Sequence, residues 1–304
     1  MATTPILDHI VILVPYETLT NVPHWLTNAF TVLEGGRHAD GVTENKLILL
    51  QDGVYFELIA FVPGKEEERK SHRWGARRSG HIIDWATTLH EEDDLDTIRE
   101  RVKIARTGIQ YTSPTPGGRI KPDGTELKWI ISSPFFELDK AAGVDEFVGG
   151  EAPFWCLDRT PRENRVPFHS KHNVEHSSGA LGVHQISISV RGQALFDVLK
   201  ATYDALNGIE GTEIEEPKGS RAFRWPIGVL ESVDGGAPQA TLLLVQIAPG
   251  TAADDGSDAS VNISLKSNTG SDSIGGNLGD EKCKIQFDLE KVATKTDSGP
   301  WATT

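Results

Sequence analysis

Two histidines stand near the start of short apolar runs, where a core strand would ordinarily hold aliphatic side chains. His9 lies in LDHIVILVP, residues 7–15, and His184 lies in LGVHQISISV, residues 181–190. Two further apolar runs carry an acceptor side chain, Glu57 in YFELIAFVPG and Gln246 in LLVQIAPG. Burying such groups is costly unless they are satisfied. Their recurrence at similar places therefore predicts that they act together.

Metal binding is the chemistry that these four residue types support together. His9, Glu57, His184 and Gln246 offer two imidazole nitrogens and two oxygens to a borderline divalent ion, and they leave positions for water or substrate. We therefore predict a metal site with Zn, Ni, Co, Mn or Fe as candidate ions, and a site without any metal as the alternative. Glu57 is also the predicted catalytic residue, because a carboxylate can move a proton.

Five further residues are predicted to contact a substrate. His38 and Asn45 belong to the Gly-rich stretch GGRHADGVTEN, where they could bind a ligand or stabilise a tight turn. Arg119 could bind an anion, although an arginine on a strand is more often solvated or structural. Trp129 and Trp155 supply aromatic surface suited to a small-molecule pocket.

The elements that must position these residues recur three times along the chain. Each unit opens with a short apolar strand, near 7–14, 82–89 and 183–190, and continues with one amphipathic helix and extended segments. In the first unit, Asp52-Gly53 between two apolar runs predicts a hairpin turn. The predicted fold class is α+β, with repeated βαβββ modules forming cupped mixed β-sheets and helices on the outer face.

The repeat divides the chain into two predicted parts. Residues 1–165 hold two βαβββ modules, and residues 166–304 hold the third. Within the second part, residues 251–281 are rich in Asp, Gly, Ser and Asn and are predicted to be flexible. Apolar and polar residues then alternate over 283–290, which predicts a final strand that docks on an earlier sheet.

Composition limits the partners. The 304 residues carry a net charge of −14, which argues against binding to the nucleic-acid backbone. We expect no signal peptide and no membrane-spanning helix, and therefore a small-molecule substrate rather than a membrane partner. The chain has two cysteines, which favours a reducing, cytoplasmic location over a disulfide framework. An odd number of modules could pair between chains, so a homodimer is one expectation.

The first unit resembles the vicinal oxygen chelate superfamily, and more narrowly its glyoxalase-like domain proteins. The resemblance is carried by LDHIVILVP, GGRHADGVTENKLILL and DGVYFELIAF, over roughly residues 5–62. It implies paired βαβββ modules whose sheets form a cup, with metal ligands on the first and last strands of two modules. On this chain it implies His9 and Glu57 from one module, and His184 and Gln246 from another.

Three functions follow as expectations. The first is a metal-dependent lyase or isomerase, in which a Lewis-acidic ion and the carboxylate of Glu57 act on a small carbonyl or hydroxyl substrate. The second is a metal-free cup that binds a small molecule or catalyses a biosynthetic step. The third is an Fe(II) ring-cleaving dioxygenase, which needs two histidines and one carboxylate. If modules one and two share the cup, the site would hold His9, Glu57 and Asp84, and a metal is less expected.

Overall fold

The computed structural model describes residues 4–121, 123–137, 146–215, 220–247, 259–270, 272–279 and 284–293. None of the helices within these ranges is long and apolar enough to cross a membrane. Cys156 is buried and free, and Cys283 lies outside the described residues.

The first module follows the strand–helix–strand order that the sequence predicts. Its opening apolar run forms one fully buried strand, and its two short helices begin directly after Pro15 and Pro23. The Asp52-Gly53 pair connects two antiparallel strands, which confirms the predicted hairpin turn. The elements are β1 (Ile6–Leu13), α1 (Tyr16–Thr20), α2 (His24–Ala29), β2 (Leu33–Arg37), β3 (Thr43–Leu49) and β4 (Tyr55–Phe61), followed by α3 (Glu66–Ser71).

The second module repeats this order with one longer helix. That helix buries an apolar stripe of Leu95, Ile98 and Val102, the 3.6-residue period of an amphipathic helix. The elements are β5 (His81–Thr88), α4 (Asp94–Ala105), β6 (Ile109–Tyr111), β7 (Thr115–Ile120), β8 (Glu126–Ser132), β9 (Pro134–Phe136), β10 (Glu146–Phe147) and β11 (Phe154–Asp158). Strands β6, β9 and β10 form a small separate sheet.

Two short helices, α5 (Arg162–Arg165) and α6 (Lys171–Val174), connect the second module to the third. The third module contains β12 (Ala180–Arg191), α7 (Gln193–Asn207), β13 (Thr212–Glu215), β14 (Arg221–Gly228) and β15 (Gln239–Ile247). Helix α7 buries Phe196, Leu199 and Tyr203 against the sheet and ends at Gly208, which has a left-handed conformation.

The chain then forms the strands of an incomplete fourth module, β16 (Ala259–Ser267), β17 (Ser273–Asn277) and β18 (Lys284–Lys291). Strand β18 lies parallel to β16, just as the closing strand of each earlier module lies parallel to its opening strand. The structure here differs from the flexible segment expected over 251–281, since residues 259–267 and 273–277 are strands. Their signal is the short alternation of Val261, Ile263 and Leu265, which the surrounding polar residues obscure.

Modules one and two pair side by side. Strand β1 lies antiparallel to β5, and the resulting strand order is β2-β3-β4-β1-β5-β11-β8-β7. The other strands follow the order β13-β14-β15-β12-β16-β18-β17, so the third module pairs with the incomplete fourth. The predicted α+β fold of repeated modules is confirmed, and the pairing of the first two modules decides which residues share a cup.

The eight strands of modules one and two curve until their distant parts meet. Asn45 on β3 and Arg119 on β7 stand near opposite ends of this strand order, yet their side chains are hydrogen-bonded. A backbone hydrogen bond from Ala39 to Gly118 closes the same gap. Helices α4 and α7 lie on the opposite face of the sheet, where their residues Ile98 and Phe196 belong to the same apolar core.

Candidate active site

The concave face of the first two modules encloses a cavity of about 280 Å³. Its wall contains residues from β1, β3, β4, β7, β8 and β11, together with the loops that follow β2 and α3. Four of the predicted site residues, His9, His38, Asn45 and Glu57, lie in this wall. Two further predictions, Arg119 and Trp129, lie in it as well, so the structure brings six of them together.

The carboxylate of Glu57 is the central group of the cavity. Strand β4 alternates its side chains, so Glu57 lies on the concave face while its neighbours Phe56 and Leu58 enter the helix-side core. The carboxylate is only 5% exposed. Asn45 Nδ2 donates to Oε1 at 2.5 Å, which leaves Oε2 as the oxygen without a close hydrogen bond.

Two imidazoles approach this carboxylate from different sides. His9 Nε2 lies 3.7 Å from Glu57 Oε2, and His38 Nε2 lies 3.6 Å from Oε1. Both separations are too long for a hydrogen bond, and they place each imidazole directly beside the carboxylate. A carboxylate with two flanking imidazoles can accept, hold and pass on a proton.

The orientation of His9 depends on a bulge in β1. In the pairing with β5, Leu7 faces Thr87 and His9 faces Ala86, so Asp8 is the extra residue. A bulge lets successive side chains turn towards one side. Asp8 Oδ1 contacts His9 Nδ1 at 2.5 Å, which leaves the Nε2 atom of His9 directed at the cavity.

Asp8 is itself held by two arginines. Arg165 reaches both of its oxygens, at 3.1 and 3.0 Å, and Arg162 Nη1 contacts Oδ2 at 2.5 Å. Arg165 also donates to Tyr55 Oη at 2.6 Å, and the Tyr55 ring stacks on His9 with centroids 4.7 Å apart. Burial would raise the pKa of the Asp8 carboxyl, but the arginines hold it well below its ordinary value. Asp8 is therefore an ionised support for His9.

His38 lies in the loop after β2 and is fixed by Thr43, whose Oγ1 lies 2.7 Å from Nδ1. Burial lowers the pKa of His38, and the nearby charge of Glu57 opposes this only in part. Burial would raise the pKa of Glu57, whereas His38, His9 and then the hydrogen bond from Asn45 lower it, with a lowered pKa as the net result. At neutral pH the pair is thus a neutral imidazole beside an ionised carboxylate.

Asn45 holds Glu57 in place because Gly35 leaves room for its side chain. A Cβ atom on Gly35 would lie 2.0 Å from Asn45 Oδ1. The pairing of β2 with β3 shifts register at this glycine, between Glu34 and Gly36. The Gly-rich stretch singled out from the sequence therefore shapes the backbone around Asn45 and leads directly into His38.

Three guanidinium groups, those of Arg73, Arg119 and Arg165, also line the cavity. Arg165 is fully engaged with Asp8 and Asp158. Arg73 donates to Ser133 at 2.9 Å and lies over the rings of Trp74 and Phe154, at 4.2 and 4.0 Å. Arg73 and Arg119 therefore bring positive charge to the cavity wall, which favours anionic groups beside them.

The alternation of side chains along a strand places Trp129 and Trp155 on opposite faces of the sheet. Trp129 on β8 lines the cavity, edge-on to His38. Trp155 on β11 is fully buried in the helix-side core, and its indole N–H has no partner there. Its neighbours Phe154 and Cys156 line the cavity in its place. The prediction that Trp155 contacts substrate placed the aromatic residue on the wrong face of this strand.

His184 and Gln246 lie elsewhere, in the third module. His184 borders a separate surface groove that also contains Arg224 and Lys266. Gln246 donates to Gln193 and pairs along the sheet with Val190, six positions beyond His184, or roughly 20 Å at the rise of a strand. The structure brings neither residue to His9 and Glu57, nor the two of them to each other.

Strand register shows which positions correspond between modules. His9 follows the bulge in β1 and pairs with Tyr55, two residues before Glu57. In the third module the bulged residue is His184 itself, and Gln185 after it pairs with Thr241. The counterpart of His9 is therefore Gln185, and the counterpart of Glu57 is Leu243. The sequence alignment matched one histidine to another, whereas His184 is the bulged residue and therefore corresponds to Asp8 of β1.

The second module supplies no second pair of ligands either. His9 faces Ala86 across the β1–β5 junction, and Ala86 pairs with Phe154 as His9 pairs with Tyr55. The counterparts of His9 and Glu57 are thus Ala86 and Cys156. Asp84, which was the alternative site residue, is not in the cavity wall; it accepts hydrogen bonds from Trp74 Nε1 and two backbone N–H groups.

One group of side chains could hold a metal ion. Among the described residues, ligand atoms of Asp8, His9 and Cys156 all lie within 4.8 Å of one another. The fit to a divalent cation is nevertheless poor. Asp8 already neutralises Arg162 and Arg165, and burial raises the pKa of the Cys156 thiol, which opposes the thiolate that a metal requires.

Several of these residues were not predicted from the sequence, namely Asp8, Tyr55, Arg73, Phe154, Cys156 and Arg165. Asp8 could have been noticed as a charged residue inside an apolar strand next to His9. Phe154 and Cys156 could have been found from the alternation of β11 once its inward face was known. Arg73 and Arg165 lie in connecting segments, where no periodic pattern marks them.

Three solved structures are similar to this chain. A hypothetical protein from Staphylococcus aureus superposes with a TM-score of 0.62 at 10% identity, covering 95% of this chain and all of that one. The halotolerant catechol dioxygenase BphC gives a TM-score of 0.45 at 8% identity, over 96% and 89% of the two chains. Glyoxalase I from Zea mays gives 0.37 at 14% identity, over 80% and 69%. The first of these similarities shows a shared fold and nothing more.

No curated protein matches the sequence. The model of the glyoxalase-like domain family matches residues 7–206, which include both modules that form the cavity. This match spans well over half of the 304 residues. The chain therefore belongs to the glyoxalase-like domain family, within the vicinal oxygen chelate superfamily.

Proposed function

We propose that the cavity of modules one and two is an active site for proton transfer on a small oxygenated molecule, and that it works without a resident metal. The observation that carries the proposal is the position of Glu57. Its buried carboxylate faces the cavity with His9 Nε2 and His38 Nε2 at 3.7 and 3.6 Å. No other carboxylate of the cavity wall, as far as the chain is described, has imidazoles on both sides.

The roles follow from the contacts of each group. Glu57 Oε2 has no close hydrogen bond, so it is the atom that accepts a proton from a carbon next to a substrate carbonyl. The C–H electron pair forms the C=C bond of an enolate while the π pair of the carbonyl moves to its oxygen. In an α-hydroxy carbonyl, the hydroxyl proton then passes to that oxygen and the carbon-bound proton returns to the former carbonyl carbon, which completes an isomerisation. Where the adjacent carbon carries a leaving group, its expulsion from the enolate completes an elimination. A positioned base of this kind contributes roughly 10²- to 10⁴-fold in rate.

The surrounding residues prepare Glu57 for this step. Asn45 fixes Oε1, which leaves a single oxygen free to react. His9 and His38 stabilise the carboxylate before reaction and can receive its proton afterwards. The cationic wall of Arg73 and Arg119 stabilises the negative charge that develops on the substrate oxygen.

Hydrogen exchange tests this role directly. The protein is incubated in D₂O with hydroxyacetone or pyruvate, and deuterium incorporation next to the carbonyl is followed by proton NMR. We expect wild type to catalyse exchange in at least one of the two, and Glu57→Gln to slow it by about 10²-fold or more. Glu34→Gln is the matched control, because Glu34 is an exposed glutamate on β2. Equal exchange by wild type and Glu57→Gln would overturn the proposal.

A metal-dependent reaction is the second candidate, because Asp8, His9 and Cys156 lie close enough to share an ion. Elemental mass spectrometry on protein purified without a metal-affinity step distinguishes the metal-dependent reaction from the metal-free one. Less than about 0.1 equivalent of transition metal, with exchange unaffected by a chelator, supports the metal-free site. One equivalent of metal, lost together with exchange in Cys156→Ala, would establish the metal-dependent reaction instead.

A further inference from the structure

Arg119 is a buried cation without an acidic partner. Arg119 is 6% exposed, and its side chain lines the cavity. Nη1 donates to Asn45 Oδ1 at 2.9 Å, and Nε is buried with no hydrogen-bond partner. Within the described part of the chain, no carboxylate oxygen lies within the 4 Å of a salt bridge to this guanidinium. Nη2 makes no hydrogen bond to any described residue and is not among the buried unpartnered atoms, so its N–H donors are available to a ligand.

This arrangement differs from that of Arg165, another arginine of the same wall. Arg165 is equally buried, but Asp8 and Asp158 neutralise it. A buried charge without a partner lowers stability. Burial lowers the pKa of Arg119, and the nearby charge of Glu57 opposes this only in part, so an anionic ligand would reduce the remaining cost.

The position of Arg119 relates directly to the reacting group. Asn45 accepts from Arg119 with Oδ1 and donates to Glu57 with Nδ2. The three side chains form one hydrogen-bonded chain along the cavity wall, with a single amide between the cation and the base. An anion bound to Arg119 therefore lies beside Glu57 and not at the far end of the cavity.

The wall next to Arg119 is flat and aromatic. Gly117, two residues earlier on β7, packs directly against Trp129, since a Cβ there would lie 2.3 Å from the indole nitrogen. The indole lines the cavity as a result. This ring can accept a planar group.

We propose that the substrate is a small planar carboxylate, whose carboxylate binds Arg119 in a fork while its flat body lies against Trp129. A guanidinium matches a carboxylate with two parallel hydrogen bonds. The cavity of about 280 Å³ admits a molecule of this kind. The proposal rests on the proposed function for the reacting position beside Glu57, but binding of the anion does not depend on it.

Benzoate and benzamide are the probes, because they share size and shape and differ in charge. Binding to the full chain is measured by ligand-observed NMR titration at moderate salt. We expect benzoate to bind wild type at least about tenfold more tightly than benzamide, the scale of one charge-assisted fork. Equal affinities for the two probes would overturn the proposal without the need for any variant.

Arg119→Met then locates the site. We expect it to weaken benzoate binding by about 10- to 100-fold and to leave benzamide unchanged. Lys128→Met, which removes an exposed cation from the neighbouring strand β8, is the matched control and should bind as wild type does. Unchanged benzoate binding by folded Arg119→Met would exclude Arg119 as the anion site.

Two further measurements separate this proposal from the proposed function. Glu57→Gln should still bind benzoate. If this variant binds benzoate and also exchanges deuterium as fast as wild type, the proposed function is overturned while the anion site stands. Inorganic phosphate should compete at least about tenfold more weakly than benzoate, because it cannot use the aromatic wall. Competition by phosphate at the same concentration would overturn the assignment to a planar carboxylate.

Discussion

The amide of Asn45 lies 2.5 Å from the carboxylate of Glu57, and both side chains are buried on the concave face. Asn45 faces Ile59 in the β3–β4 pairing, so it lies diagonally across from Glu57. This diagonal contact orients one carboxylate oxygen and leaves the other to the cavity. It also connects Glu57 with Arg119, which joins the two modules through side chains.

Asn45→Leu should lower the free energy of unfolding by about 1–3 kcal/mol, because it leaves Glu57 without its donor and Arg119 without its acceptor in a buried site. Urea unfolding followed by circular dichroism measures the change. Asn262→Leu is the control, since Asn262 is an exposed strand residue of β16. Equal stability of the two variants would show that the buried amide adds nothing.

Gly35→Ala should disturb Asn45 through sterics alone. The new Cβ would lie 2.0 Å from Asn45 Oδ1, so β2 or the amide must move, at a cost of about 1–3 kcal/mol in unfolding free energy. Thermal unfolding gives the comparison with Gly270→Ala, whose added Cβ meets nothing within 4 Å and should change stability by less than about 0.5 kcal/mol. A Gly35→Ala protein as stable as this control would contradict the tight contact.

Asp8→Asn should be strongly destabilising. It removes the charge that Arg162 and Arg165 share below the cavity, and loss of one partner from a buried ion pair costs about 3–5 kcal/mol. Glu67→Gln is the control, because it breaks only an exposed pair with Lys70 and should cost less than about 1 kcal/mol. Chemical denaturation of both variants at pH 7 measures the loss of unfolding free energy in each. Similar losses in the two variants would contradict a buried ion-pair network around Asp8.

Asp52 should make stability depend on pH. It lies in the hairpin turn of module one and accepts backbone hydrogen bonds from Val54 and from Val183 of β12. Burial raises the pKa of its carboxyl to about 6, against an ordinary value of 3.8. The folded chain therefore keeps this proton where the unfolded chain has lost it, so the stability from this group is complete below pH 4 and is lost as pH rises through 6.

The size of this effect is about 3 kcal/mol, from roughly two pKa units at 1.36 kcal/mol each. The effect is measured as the difference in unfolding free energy between wild type and Asp52→Asn, from pH 4 to pH 8. All other titrating groups are the same in the two proteins, so their contributions cancel in this difference. We expect the advantage of wild type over the variant to decrease with rising pH. A difference that stays constant or increases would contradict the raised pKa.

Residue pattern alone predicted much of the cavity. His9 and Glu57 were found because polar groups inside apolar strands need partners, and His38 with Asn45 because of the Gly-rich stretch between strands. All four lie in module one, where the hairpin turn sets the register over a short distance. Local sequence constrains local pairing strongly, since a shift of one residue would turn each side chain to the other face.

The corrections concern long-range relations. His184 and Gln246 were matched to His9 and Glu57 on similar letters, but the strand register places Gln185 and Leu243 at those positions. Trp155 was assigned to the wrong face of β11. Apolar periodicity does not show which residue of a strand is bulged, or which face of a fully buried strand turns towards the cavity, because both depend on strand pairing.

The sequence by itself determined the repeated strand–helix units, their α+β class and the polar residues of the first strand pair. Only the tertiary structure decided that modules one and two share a cup, and that Arg119, Phe154 and Cys156 complete its wall. The reason is physical: period and turn chemistry act between residues near in sequence, whereas the partner of each module depends on the packing of entire sheets. The Arg119–Asn45 contact, 74 residues apart in the chain, exists only after that packing.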